Sequence, residues 1–141
     1  MSFEFLPDVA IADVAFRASG RSLAELFESA GMAVTETMTD ASKLKPKVER
    51  KIELRNDKVD GLLFDFLQEL VYLKDVKQLL VGHFSVIIEE DGGYRLTAQL
   101  AGEKINQKKM ELRADVKAVT LHMFEVKKVG RLWTATVVLD I

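Results

Sequence analysis

Residues 84–100 read FSVIIEEDGGYRLTAQL, and the fold class turns on how this stretch is read. Phe84, Val86 and Ile88 alternate with other residues, the period of two that belongs to a half-buried strand. Asp91-Gly92-Gly93 interrupts the alternation with residues that tolerate positive φ. Tyr94, Leu96, Ala98 and Leu100 then resume it, so the stretch predicts a β-hairpin. Downstream come a polar loop from Gly102 to Arg113, a strand from Val116 to Val126, a turn around Gly130 and a strand from Leu132 to Ile141.

Upstream, the period lengthens. Val14, Phe16 and Ala18 mark a short strand from Asp13 to Ser19 that stops at Gly20. Ser22-Leu23-Ala24-Glu25 is a capping box, in which the hydroxyl accepts from the first free amides and the glutamate reaches back. Leu23, Leu26, Phe27, Ala30, Val34 and Met38 follow at helical spacing and form one apolar stripe, ending near Asp40. Lys47 to Asn56 alternates again, with Val48, Ile52 and Leu54 as inward positions. A second helix runs from about Asp60 to Lys74, with Leu63, Phe66, Leu67 and Leu70 as its seam. The order β-α-β-α-β-β-β-β brings strands in runs, which predicts an α+β fold in two layers. Two helices pack on one face of a mixed, mostly antiparallel sheet, in a single domain over residues 1–141.

Composition narrows the function. With 141 residues, 48% of them hydrophobic and 30% charged, the chain has enough apolar material for one core. Cys is absent, which excludes disulfides, thiolate metal sites and thiol catalysis. Lys and Arg number 20 against 22 Asp and Glu, so a general nucleic-acid coat is not expected. No apolar run approaches the roughly 20 residues of a membrane span, and no signal peptide is expected. The reading is a cytoplasmic monomer that does not engage a membrane.

Chemistry-bearing motifs are sparse. There is no HExxH, P-loop, GxGxxG or GxSxG pattern. His83 and His122, the chain's two histidines, read as structural or surface residues beside strands. Oxygen chemistry remains. Asp13 opens an apolar strand, Asp40 follows a helix, and Asp140 is the penultimate residue, with the α-carboxylate of Ile141 beside it. Adjacent anions repel unless a cation lies close, and clustered carboxylates suit a hard divalent ion such as Ca²⁺ or Mg²⁺. Strand-edge acids that simply face water are the alternative.

One ordered set of segments resembles the archease family. It begins with Ala12-Asp13-Val14-Ala15-Phe16-Arg17-Ala18, Gly20, and Ser22-Leu23-Ala24-Glu25-Leu26-Phe27-Glu28. Ala30, Ala33 and Met38-Thr39-Asp40 follow, then Phe66-Leu67-Gln68-Glu69-Leu70-Val71-Tyr72. Val116-Lys117-Ala118-Val119-Thr120 and Val137-Val138-Leu139-Asp140-Ile141 complete it. Together they span the chain in order. One departure stands out: archeases usually read His-Thr-Ala-Asp where this chain has Ala10-Ile11-Ala12-Asp13.

The resemblance implies a non-catalytic activator of an RtcB-type tRNA-splicing RNA ligase, promoting its GTP-dependent guanylylation and multiple turnover. It also implies a divalent-metal site, for Ca²⁺ with Mg²⁺ or Mn²⁺ as alternatives, on Asp13, Asp40, Asp140 and Ile141. Lys117 is the expected partner-binding residue, against a phosphate or carboxylate of the ligase. Direct nucleic-acid binding is expected to be weak, because the lysine groups lack interleaved aromatics. A metal-dependent phosphoesterase and a general chaperone or RNA-binding module are the alternatives.

Overall fold

The computed structural model describes residues 2–7 and 13–141; Ala10, Ile11 and Ala12, quoted above, lie outside the described residues. Seven strands and two long helices follow in order: β1 (Ser2–Phe5), β2 (Asp13–Gly20), α1 (Leu23–Met38), β3 (Val48–Asn56), α2 (Val59–Lys77), β4 (Leu79–Glu90), β5 (Tyr94–Lys104), β6 (Ala118–Val129) and β7 (Leu132–Asp140). A short 3-10 turn, Ala41–Lys43, separates α1 from β3.

The α+β class and the two helices are as the sequence predicts. Two details differ. Ser2–Phe5 forms an additional strand against β2, and the strands divide into two sheets, ordered β1-β2-β7-β6 and β3-β5-β4. Every pairing within them is antiparallel.

Local chemistry explains the element boundaries. Ser22 has extended backbone angles and its Oγ accepts from the Glu25 amide at 3.2 Å. Glu25 reaches back to the amide of Arg21, one residue before the cap, at 2.8 Å. α2 ends where Gln78 adopts φ 53°, and β4 begins at the next residue. In the β6–β7 hairpin, Gly130 at φ 64° supplies the first central residue of a two-residue turn.

The helices close the core against both sheets. Leu26, Phe27, Ala30 and Val34 of α1, and Leu62, Leu63, Phe66 and Leu67 of α2, are fully buried. Phe27 and Phe66 meet with ring centroids 5.7 Å apart, and Phe66 meets Phe84 of β4 edge-on at 6.3 Å. Phe16, Ala18, Val137 and Leu139 supply the first sheet, and Leu96, Ala98 and Leu100 the second. Burying each large side chain contributes about 1.5–3 kcal/mol, which makes this cluster the main source of stability. Helices also hold strand edges through polar side chains: Thr35 donates to the Val81 carbonyl at 2.7 Å, and Glu28 accepts from the Val86 amide at 3.0 Å.

Gly102 marks the tightest backbone approach. A Cβ there would lie 1.9 Å from the Leu80 carbonyl oxygen, beside the register shift between Val81 and His83. Gly92, by contrast, needs its positive φ of 64° but has open space around it. Gly102→Ala is therefore expected to yield no soluble folded protein. Gly92→Ala should fold with a loss of about 1 kcal/mol in urea denaturation. Equal losses at the two positions would refute this packing.

Candidate functional site

The register of β2 with β7 sets Asp13 directly opposite Asp140. Cross-strand partners share a sheet face, and the core side is taken by Phe16 and Ala18 of β2 with Ala135, Val137 and Leu139 of β7. Both aspartates therefore emerge on the other face, half-buried, at the open end of the strand pair. Ile141 follows with its side chain packed on the core, as strand alternation requires.

Such a pair is electrostatically incomplete. Like charges directly opposite one another in a sheet destabilise it. Among the described residues, neither aspartate takes part in an ion pair with Lys or Arg. No group of three or more His, Cys, Asp or Glu side chains gathers among the described residues. The chemistry available is thus two carboxylates on one face, a set of hard oxygen donors open to water.

The other expected residues divide. Lys117 stands just before β6, and its amide donates to the Asp140 carbonyl at 2.8 Å. Its side chain is exposed, between the buried Val116 and Val119. Asp40 lies two residues past the end of α1. Its Oδ1 accepts from the Ser42 hydroxyl at 2.6 Å and from the Ser42 amide at 3.1 Å, capping the 3-10 turn. The Ser42 hydroxyl is the main reason its carboxyl lies below the usual value, with Lys43 adding to it against the opposing effect of burial. Asp40 lines a cavity of about 310 Å³ with Lys43, Lys47 and Glu103. Asp13 lines a different cleft of about 420 Å³ with Glu36 and Arg113.

Glu36 and Arg113 were not legible as site residues. Arg113 Nη1 donates to Glu36 Oε1 at 2.6 Å and to the Glu36 carbonyl at 2.8 Å, while Nε meets Glu111 at 2.7 Å. Its amide also donates to the Met38 carbonyl at 2.8 Å. The last turn of α1 has no basic residue of its own, so Arg113 supplies the cation that its free carbonyls favour. The glutamates in turn hold its guanidinium pKa above the usual range. Farther along the same loop, Asp115 accepts from Lys74 at 2.6 Å, and Asp75 also binds that ammonium. These contacts pin residues 105–117 to both helices immediately before the chain enters β6, where Lys117 meets Asp140.

Burial opposes the charge on Lys74, but the two aspartates outweigh it and raise its pKa above the ordinary 10.5. The stability it contributes is present below that ordinary value and lost as pH rises through the raised one. Urea denaturation of the native chain should weaken across that alkaline range, and Lys74→Met should flatten the dependence; an unchanged alkaline slope would count against the anchor. At the strand ends, Asp140→Asn removes the like-charge contact. In chelator it should raise stability by about 0.2–1 kcal/mol, and a loss would show that the pair is not repulsive.

Comparison with known proteins agrees with this architecture. The model of the Archease protein family (MTH1598/TM1083) matches residues 3–141. The protein archease of Methanothermobacter thermautotrophicus is 41% identical over 140 residues, covering 99% of this chain and 98% of its own. That of Pyrococcus furiosus is 38% identical over 133 residues, with 92% and 93% coverage. The solution structure of Methanobacterium thermoautotrophicum protein 1598 superposes with a TM-score of 0.86 at 39% identity, over 99% of this chain and 98% of that one. A Thermotoga maritima archease, described as a possible chaperone, shares the fold at TM-score 0.66 and 22% identity, with 94% and 93% coverage. On a family match that runs almost the full length of the chain, with the same fold in solved relatives, this protein belongs to the archease family.

Proposed function

We propose that the protein is a non-catalytic activator of an RtcB-type RNA ligase, acting through a divalent cation held at the strand ends. The single observation that carries the reading is the unneutralised Asp13–Asp140 pair, opposite in register at the end of β2 and β7. Two carboxylates brought together with no ion pair to Lys or Arg among the described residues favour a hard cation. Ca²⁺ suits them best, because it accepts many oxygen ligands in a flexible shell and tolerates water among them; Mg²⁺ and Mn²⁺ are the alternatives. Asp13, Asp140 and the carboxylate that Ile141 carries in this sequence would hold it. Asp40 is the fourth proposed ligand: Ser42 holds one of its oxygens, and Arg113, which lines the Asp13 cleft, also acts on its carboxylate.

The bound cation would supply charge neutralisation and a positive centre on an otherwise acidic tip. The chain's own residues do the rest. Lys117, exposed and tied through its amide to Asp140, offers a cation toward a phosphate or carboxylate of the ligase. The pinned loop at residues 105–117 keeps that lysine and Asp140 in one arrangement, which lowers the entropy lost on docking. A hydrolytic role has less support. His83 Nε2 is engaged with the Leu44 carbonyl at 2.9 Å, and neither histidine lines the Asp13 cleft.

The test is guanylylation and multiple-turnover RNA joining by the cognate ligase, with and without this protein. Asp13→Ala and Asp140→Ala should each lower the stimulation about tenfold or more while circular dichroism shows the fold intact. An added C-terminal residue, which removes the carboxylate of Ile141, should do the same. Full stimulation by all three would overturn the proposed site, and no stimulation by the native chain would overturn the role.

A general chaperone is the second reading, favoured by exposed Leu121, Met123, Val129 and Leu132 along β6 and β7. It requires suppression of aggregation of unrelated unfolded proteins, and no suppression would remove it.

A further inference from the structure

The outer face of β3 carries charges that meet no opposite charge across the ladder, although Arg55 also donates to the Asp91 carbonyl at 3.1 Å. Glu49, Lys51, Glu53 and Arg55 alternate in sign along the exposed side of the strand. Across the ladder on β5 they face Ala101, Gln99, Thr97 and Arg95. Three of these partners are neutral; the fourth repeats the charge it meets and is already paired with Glu89 at 3.1 Å. Lys51 and Glu53 meet only one another along the strand, at 3.4 Å. β5 lies on one side of β3, and the other side is a sheet edge.

That edge is left open where the others are closed. On β4, the helix side chains Glu28 and Thr35 cap the outward groups of Val86 and Val81. On β6, Gln68 accepts from the Val119 amide at 2.8 Å, and the strand is then broken by the shift between Thr120 and Glu125. β1 has four residues. β3 offers nine residues without a register shift.

The hydrogen-bond phase of β3 follows from its neighbours. Val86 turns its amide outward, so its partner Ala98 exchanges no bonds with it and bonds instead to Ile52 on the other side. Alternation then sends the amides and carbonyls of Glu49, Lys51, Glu53 and Arg55 to the open edge. Among the described residues, the side-chain partner these groups have is Arg50, whose Nη1 donates to the Glu49 carbonyl at 2.8 Å.

We propose that β3 pairs antiparallel with β3 of a second copy of this chain, about a two-fold axis at Ile52, joining two three-stranded sheets into one. The occupant is identified by charge. In this register Glu49 stands opposite Arg55 of the second copy and Lys51 opposite its Glu53, and symmetry repeats both pairs. The same pairs carry the outward backbone groups, so every ion pair coincides with an exchange of main-chain hydrogen bonds. Registers centred on an outward residue would set like charges together, and registers centred between two residues would put the side chains of one copy on the wrong face. Centring on Ile52 overlaps the whole strand and brings the two Ile52 side chains together on the core side. The protein is then a reversible dimer, in place of the monomer expected from its sequence.

Sedimentation equilibrium of the full chain over a concentration series tests this. The native chain should show a monomer–dimer equilibrium that weakens with salt. Glu53→Lys should weaken dimerisation at least tenfold, with circular dichroism and melting temperature preserved. The charge-swapped variant Lys51→Glu with Glu53→Lys should restore it, since opposite charges again face each other. A native chain that stays monomeric throughout would overturn the proposal, including the case where the edge charges only guard against pairing or receive a strand of another protein. A dimer indifferent to Glu53→Lys, or not restored by the swap, would overturn it equally.

Discussion

The site depends on one constraint, the register in which β2 pairs with β7. These strands come from opposite ends of the chain, and their pairing sets Phe16 against Val137 in the core and Asp13 against Asp140 outside it. A slip of one residue would carry Phe16, Val137 and Leu139 to the solvent face. Burial therefore enforces the register, and the register enforces the juxtaposition of two carboxylates. Packing energy holds together a pair that electrostatics alone would separate.

The segment between β5 and β6 adds a second constraint. It has little regular structure, yet its polar side chains reach both helices: Arg113 to Glu36 at the end of α1, and Asp115 to Lys74 near the end of α2. Thr39, just past α1, donates to the Glu111 carbonyl at 2.6 Å in the same stretch. Charged contacts at exposed positions contribute little individually. Here they act as a network, and they direct the chain into β6 so that Ala118 meets Asp140 and Lys117 lies at the strand end.

Much of this fold is written in local pattern. The hairpin around Gly92, the Ser22 cap and the apolar stripe of α1 each depend on residues a few positions apart, and each forms as the sequence predicts. The partition into two sheets does not, because it is decided by pairings such as Phe16 with Val137 that no short window contains. β1 was hidden by its length, a four-residue segment whose partner lies beyond Pro7. At the site, Asp13 and Asp140 were legible from residue type, position and family resemblance. The Glu36–Arg113 and Lys74–Asp115 contacts were not, since their sequence separations of 77 and 41 leave no periodic trace.

If the proposed role is right, the Asp13–Asp140 pair holds a divalent cation. Isothermal titration of Ca²⁺ into the native chain and into the Asp13→Asn, Asp140→Asn double variant tests it most directly. The account predicts one binding event in the native chain and none in the variant, with the variant still folded. Equal Ca²⁺ binding by both proteins would contradict it.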